Sequence, residues 1–411
     1  MKNYFMVTLF LFFTKILIAQ QVNLSVENLL FLGKVPQKSS SNILVDKLDY
    51  ILSFNTPKDS TVRIGYLDEN GKVKVKPVYN MGLDFYDNYA NIIKDSIYGY
   101  VDKSGKPKLF NQYDKVYFYY GNIGFAIKEK KYALISRDGN LITGFIYSRI
   151  DIYGYNYFFA TINKEESYIL NEKGERKFKM TSNIKSHFIT DSIMVYQDTL
   201  KGKLKQGLLD INGNVVLKAT FDKLDGYFDE NNLMLVTNNG KQGYIDVSGK
   251  IIIPIIYDKI EYSFTEGLVP VLKEGKWGFI DKNNNTVIPF IYDDAHGFSE
   301  GLANVKKGNY YGYIDKKNKV KIPFKYENTK YAFFIEGLCL YKENGKYGFI
   351  NKKGKVKIKP IYDMVLPFYN DKALVKLNNK EGFIDKKGKE IIPIKYKQLW
   401  MESSGMIRFV D

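Results

Sequence analysis

One cysteine, two histidines and two tryptophans are all that the 411 residues contain of these types. The single thiol, Cys339, forbids any disulfide within the chain. His187 and His296 lie in different parts of the sequence, and neither belongs to a spaced pair such as His-Glu-x-x-His. Little is therefore left for a zinc centre or for imidazole acid–base chemistry. Beyond the first twenty residues no stretch stays apolar for 18 positions, the length a membrane-crossing helix needs. A Gly-x-Ser-x-Gly elbow, a P-loop and a dinucleotide-binding glycine fingerprint are all missing. Acids are also outnumbered, 45 against 61 Lys and Arg, which sets the net charge at +16.

What is present points to β-structure. Aromatics make up 16% of the chain, with 34 Tyr and 28 Phe, and such side chains fit a pleated surface. The 45% hydrophobic content excludes a disordered polymer. The first twenty residues read as a secretory signal peptide: Lys2, an apolar run from Tyr4 to Phe13 broken by Thr8, then Ile16 to Ala19 before Gln20 and Gln21. Cleavage is expected near Ala19 or Gln20. Lys15 interrupts the run, which is then too short for an uncleaved anchor. The expected destination is export, to the periplasm, the outer surface or the medium.

A repeat dominates the rest. Lys276-Trp277-Gly278-Phe279-Ile280-Asp281 returns as Tyr311-Gly312-Tyr313-Ile314-Asp315, as Lys346-Tyr347-Gly348-Phe349-Ile350-Asn351 and as Glu381-Gly382-Phe383-Ile384-Asp385. Earlier copies carry Gly65, Gly99, Gly207 and Gly243, and degenerate ones have Ala133 and Tyr168 at the anchor. The ten anchors stand 34 to 39 residues apart. Each period holds three short apolar runs. One ends in a turn such as Asp385 to Lys389, the next in Pro-x-x-Tyr-Asp, as at Pro254 to Asp258, Pro289 to Asp293 and Pro360 to Asp363. The third is Phe-x-Glu-Gly-Leu-x-x-Val, at Phe264 to Val271 and Phe298 to Val305. Runs this short between turn signals read as strands, and Pro in the second means that it begins a strand or lies at a sheet edge. A half-period, Asp46 to Tyr50, precedes the first anchor, and Ser404 to Phe409 matches the third run of a last repeat. Residues 42 to 411 thus read as the repeat array and 21 to 41 as a cap or leader.

These residues resemble the WG repeat of bacterial proteins. The resemblance covers about nine tenths of the chain, is sharpest over 240 to 400 and weakens over 125 to 200. Only Trp277 keeps the family's Trp, with Tyr98, Tyr132, Tyr311 and Tyr347 in equivalent places. The family carries no catalytic residues to transfer, so the resemblance implies a binding or scaffold role. Units of this size bury a core only by stacking. A toroidal propeller usually has four to eight blades of about four strands, so ten three-stranded units favour an open or superhelical stack over a closed propeller-like toroid.

Candidate residues follow from the repeat. Gly65, Gly99, Gly207, Gly243, Gly278, Gly312, Gly348 and Gly382 read as structural anchors, and their aromatic neighbours as core filling rather than a sugar platform. The recurrent acids Asp246, Asp281, Asp315 and Asp385, and Asp258, Asp293 and Asp363, read as turn caps. Asp281 to Thr286 mimics a calcium loop but lacks Gly at the sixth position. Cys339 reads as a small buried hydrophobe. Lys316 and Lys317, Lys352 and Lys353, and Lys386 and Lys387 fall in equivalent turns, and stacking would align them into a basic ridge. From residue 241 onward 30 Lys and Arg face 20 Asp and Glu. Tyr153, Tyr155 and Tyr157, in the irregular copies, are candidates for an exposed aromatic patch.

The expected function is a non-enzymatic exported scaffold that binds a protein or an envelope polymer. One alternative is a polyanion or glycan binder working through the lysine ridge. Another is a hydrolase with its site in residues 140 to 200, built on His187. No catalytic residue, metal, cofactor or sequence-specific nucleic-acid contact is expected.

Overall fold

The computed structural model describes residues 62–410, apart from 119–121, 154–156, 164, 181–192, 226–227, 230, 262 and 327–331. The leader, the 21–41 segment and the Asp46 half-period therefore lie outside the described residues.

Residues 62 onward form ten small antiparallel sheets. In chain order nine of them span 81–109, 115–136, 149–180, 193–221, 223–257, 259–292, 294–326, 338–362 and 364–396, and we number these blades 2 to 10. Blade 1 is composite. Its strand Ile64–Asp68 pairs on one side with Val73–Tyr79 and on the other with Met406–Val410, in unbroken register from Ile64 opposite Val410 to Asp68 opposite Met406. Ring closure thus comes from joining the two ends of the array, and the protein is a ten-bladed β-propeller.

The expected open stack is therefore corrected to the closed toroid. Seven of the ten sheets have four strands, because a short first strand precedes the three legible runs. In blade 7 that strand is Lys259–Ile260, followed by Leu268–Lys273, Lys276–Asp281 and Thr286–Tyr292. Two residues are too few to show a period in sequence, yet they supply the fourth strand whose absence argued against a propeller.

Turn chemistry sets the meander. Glu-Gly in Phe-x-Glu-Gly-Leu forms the two-residue turn between first and second strands, with positive φ at both Glu266 (51°) and Gly267 (87°), the type I′ pattern whose twist matches the strands. The turn between third and fourth strands follows the expected Asp-x-x-Gly form. At Asp385 the Gly388 N–H donates to the Asp385 carbonyl at 2.9 Å, while the side chain accepts the N–H groups of Lys387 and Lys389 at 2.8 and 2.9 Å. Both kinds of turn lie at one face of the ring; the hairpins between second and third strands and the blade-to-blade connections lie at the other.

The anchor glycines stand against the backbone of the neighbouring strand. A Cβ on Gly278 would stand 2.7 Å from the Ile288 carbonyl oxygen and 3.0 Å from the Phe290 nitrogen, so only glycine lets the fourth strand approach at the bulge there. Pro254, Pro289 and Pro360 all lie in fourth strands, which form the outer sheet edge. The core is divided among the blade interfaces. Trp277, Phe279 and Ile288 of blade 7 pack on Ala295, Phe298 and Val305 of blade 8, and the pattern recurs around the ring. Trp277 and Tyr311 are buried and Cys339 is enclosed, as expected of core residues.

Candidate functional site

Three sets of polar residues recur between blades. In the first, the Lys that opens the third strand pairs with the Asp that ends Tyr-Asp: Lys241 with Asp258 at 2.5 Å, Lys276 with Asp293 at 2.6 Å, Lys346 with Asp363 at 2.5 Å. The other carboxylate oxygen accepts a backbone N–H from the next blade's hairpin, Glu274, Gly308 or Asn378. The lysine and that N–H hold these carboxyls below their ordinary values. Both expected sets of turn caps are thus present, but this one caps the hairpin of the following blade rather than its own turn.

The second set uses the lysines proposed as a ridge. Lys316 reaches Glu266 at 3.1 Å, Lys352 reaches Glu300 at 3.2 Å and Lys386 reaches Glu336 at 3.1 Å, each bridging to the preceding blade. The same glutamates accept the N–H of Gly301, Gly337 and Asp371. Lys317, Lys353 and Lys387 are exposed and make no ion pair among the described residues. Half of the expected ridge is thus spent joining blades, and the other half faces solvent.

The third set is a place at the start of a blade, four residues after Tyr147, Phe221, Tyr257 or Tyr292, that changes from blade to blade. Asp151, Asp225, Glu261 and His296 occupy it in blades 4, 6, 7 and 8. Arg149 lies 2.6 Å from Asp151, and Lys223 pairs with Asp225. In blade 8 the order is inverted, with Asp294 two residues before His296. The imidazole, 3% exposed, lies 2.9 Å from Glu261 through Nδ1 and 3.6 Å from Asp294 through Nε2. Burial alone would lower its pKa, but the contacts with Asp294 and Glu261 outweigh that and raise it to about 9. Tyr311 donates its hydroxyl to Asp294 at 2.8 Å. The cluster is a charged interblade lock, with a cationic imidazole between two carboxylates.

Tyr157 is half-buried against the core of blades 4 and 5, the backbone of Tyr153 ends the strand Arg149–Tyr153, and Tyr155 and His187 lie outside the described residues. The carboxyl of Glu166 accepts the Tyr168 hydroxyl at 2.6 Å, and this holds it below its ordinary value, the reverse of what a general acid needs.

Sequence reasoning missed one opening. A cavity of about 160 Å³ lies between blades 2 and 3, with Tyr86, Tyr89, Asn91, Phe118 and Arg137 among its walls. Asn91 is fixed by two hydrogen bonds to the Phe118 backbone, at 2.5 and 2.9 Å. The Arg137 guanidinium lies 4.2 Å from the centre of the Tyr89 ring, 5.1 Å from Phe118 and 5.2 Å from Tyr100. The signal was the replacement of Asp-Lys-Lys by Ser136-Arg137-Asp138 in a degenerate copy.

Comparison with known families settles the kinship. The family described as WG containing repeat matches residues 64–96, 207–241, 243–277, 277–311, 311–347, 347–380 and 382–410, together more than half of the chain. The chain belongs to this family. No curated protein matches it. Among solved structures, a eukaryotic initiation factor matches with 11% identity and a TM-score of 0.44, covering 85% of this chain and 98% of that one. BamB from Moraxella catarrhalis matches with 8% identity and a TM-score of 0.30, over the same shares of the two chains. The extracellular domain of a one-component system from B. thetaiotaomicron matches with 14% identity and a TM-score of 0.28, covering 83% of this chain and 59% of that one. This WG-repeat propeller, among its described residues, has no helix long and apolar enough to cross a membrane.

Proposed function

We propose that this WG-repeat propeller is an exported, non-enzymatic scaffold that binds a protein or an envelope polymer. The observation that carries the reading is where the recurrent ionisable residues go. Many of the lysines, aspartates and glutamates that recur in blades 6 to 10 are joined to one another around the ring, at 2.5 to 3.2 Å across Lys346–Asp363 and Lys352–Glu300. Chemistry distributed this way holds a ring together and leaves specificity to the positions that vary. Export rests on the leader, Lys2 to Ala19. The test immobilises the chain from Gln21 and exposes it to detergent extracts of envelope from the producing cells. Recovery of one partner in stoichiometric amount is expected, and recovery of nothing above a bait with randomised surface residues would refute the reading.

A polyanion reading has its own support in the three exposed lysines Lys317, Lys353 and Lys387, which stand in equivalent turns of successive blades. It requires binding to heparin or phosphate-rich polysaccharide that falls steeply with salt and is lost when these three become Gln. Salt-independent binding, or retention in the triple variant, would exclude it.

A further inference from the structure

The cavity between blades 2 and 3 stands where the repeated bridge changes. In blades 7 to 10 a Glu in the first turn of one blade meets a Lys in the last turn of the next, as in Lys316–Glu266. Between blades 2 and 3 the same two places hold Asp87 and Arg137. Asp is one methylene shorter than Glu, and the guanidinium lies inward over the rings of Tyr89, Phe118 and Tyr100. The surface between the two turns then opens to about 160 Å³.

The walls are set before any ligand arrives. The Asn91 amide is bonded to the Phe118 backbone on both its oxygen and its nitrogen. Asp84 is held by Arg408 at 3.1 Å, and Tyr89 packs edge-on against Tyr100 with ring centres 5.0 Å apart. Tyr86 stands at the rim and is 40% exposed. A cavity of about 150 Å³ takes one six-membered ring. Leu83, Phe118 and the tyrosine rings make the walls largely apolar, with the Asp84 carboxylate and the Arg137 guanidinium beside them, and this mixture suits a ring that has an apolar face and a rim of hydroxyls.

We propose that this cavity binds a single pyranose ring of a glycan, stacked on Tyr86, with Asp84 and Arg137 bonding its hydroxyls. The inference rests on the binding-scaffold reading and names the ligand class for one site on it. The test is saturation-transfer NMR on the full chain with five probes: methyl glucoside, methyl galactoside, methyl mannoside, N-acetylglucosamine and methyl glucuronide. N-acetyltyrosinamide serves as the aromatic control. Transfer to the ring protons of at least one pyranoside is expected. Tyr86→Ala, at an exposed place that leaves folding intact, should weaken that binding about tenfold, and Lys218→Ala, exposed on blade 5, should not change it. Arg137→Lys should weaken it as well, and a preference for the glucuronide over the neutral sugars would place a carboxylate on Arg137. The proposal is overturned if none of the five binds, if only the tyrosine amide binds, or if Tyr86→Ala leaves affinity unchanged. An envelope partner recovered equally by the wild-type and Tyr86→Ala baits would overturn this site while leaving the scaffold reading intact.

Discussion

Removing the charge on His296 should weaken the propeller at neutral pH and have no effect in alkali. In the fold its pKa is raised to about 9 by Glu261 and Asp294, against 6.5 for an ordinary histidine. That difference corresponds to roughly 3 kcal/mol favouring the folded, protonated form. Because the folded value is the higher one, the stabilisation is complete below pH 6.5 and is lost as the pH rises through 9. His296→Gln removes the titration and leaves an amide between two carboxylates. Urea midpoints of the two proteins should differ most near pH 6 and converge above pH 9. Only two histidines exist, so selective isotope labelling gives two imidazole signals, one of which should titrate near 9. If both titrate at or below 6.5, or if the gap in urea midpoint is the same at every pH, the lock is misassigned.

Other consequences are separable from that one. Gly278→Ala puts a methyl 2.7 Å from the Ile288 carbonyl and should cost about 2–4 kcal/mol in unfolding experiments, whereas Gly275→Asn, with open space around it and a positive φ that Asn tolerates, should cost little. Glu300→Gln releases Lys352 and weakens the hold on the Gly337 N–H, so hydrogen exchange in the 336–337 turn should accelerate without loss of the fold. Export predicts that the mature chain, recovered from its host, begins at Gln20 or Gln21; an intact Met1 would refute it.

The period, the strand-rich class, the turn caps and the edge prolines were all legible because each rests on local spacing. The anchor glycines were legible for the same reason, since a residue without a Cβ at fixed intervals implies close backbone approach. Closure was not. Ile64 and Val410 stand at opposite ends of the array, and no local pattern shows that they pair. Nor were the first strands, of which Lys259–Ile260 has only two residues. The lysine turns were read as an aligned ridge because their partners lie far away in sequence, Lys316 meeting Glu266 across 50 residues. Arg137 was hidden for a different reason: its repeat departs from the consensus, and departure alone does not show which side chain turns inward.

Closure of the ring is the claim from which the rest follows, and a covalent trap tests it most directly. Asp68 and Met406 are directly opposed across the closing seam, where facing side chains come within disulfide reach. The native Cys339 is buried and does not compete. Asp68→Cys combined with Met406→Cys should form one intramolecular disulfide on mild oxidation of dilute protein, giving a circularised monomer with altered denaturing-gel mobility that reverts on reduction. Absence of that bond, or a ladder of intermolecular species in its place, would contradict the closed ten-bladed propeller.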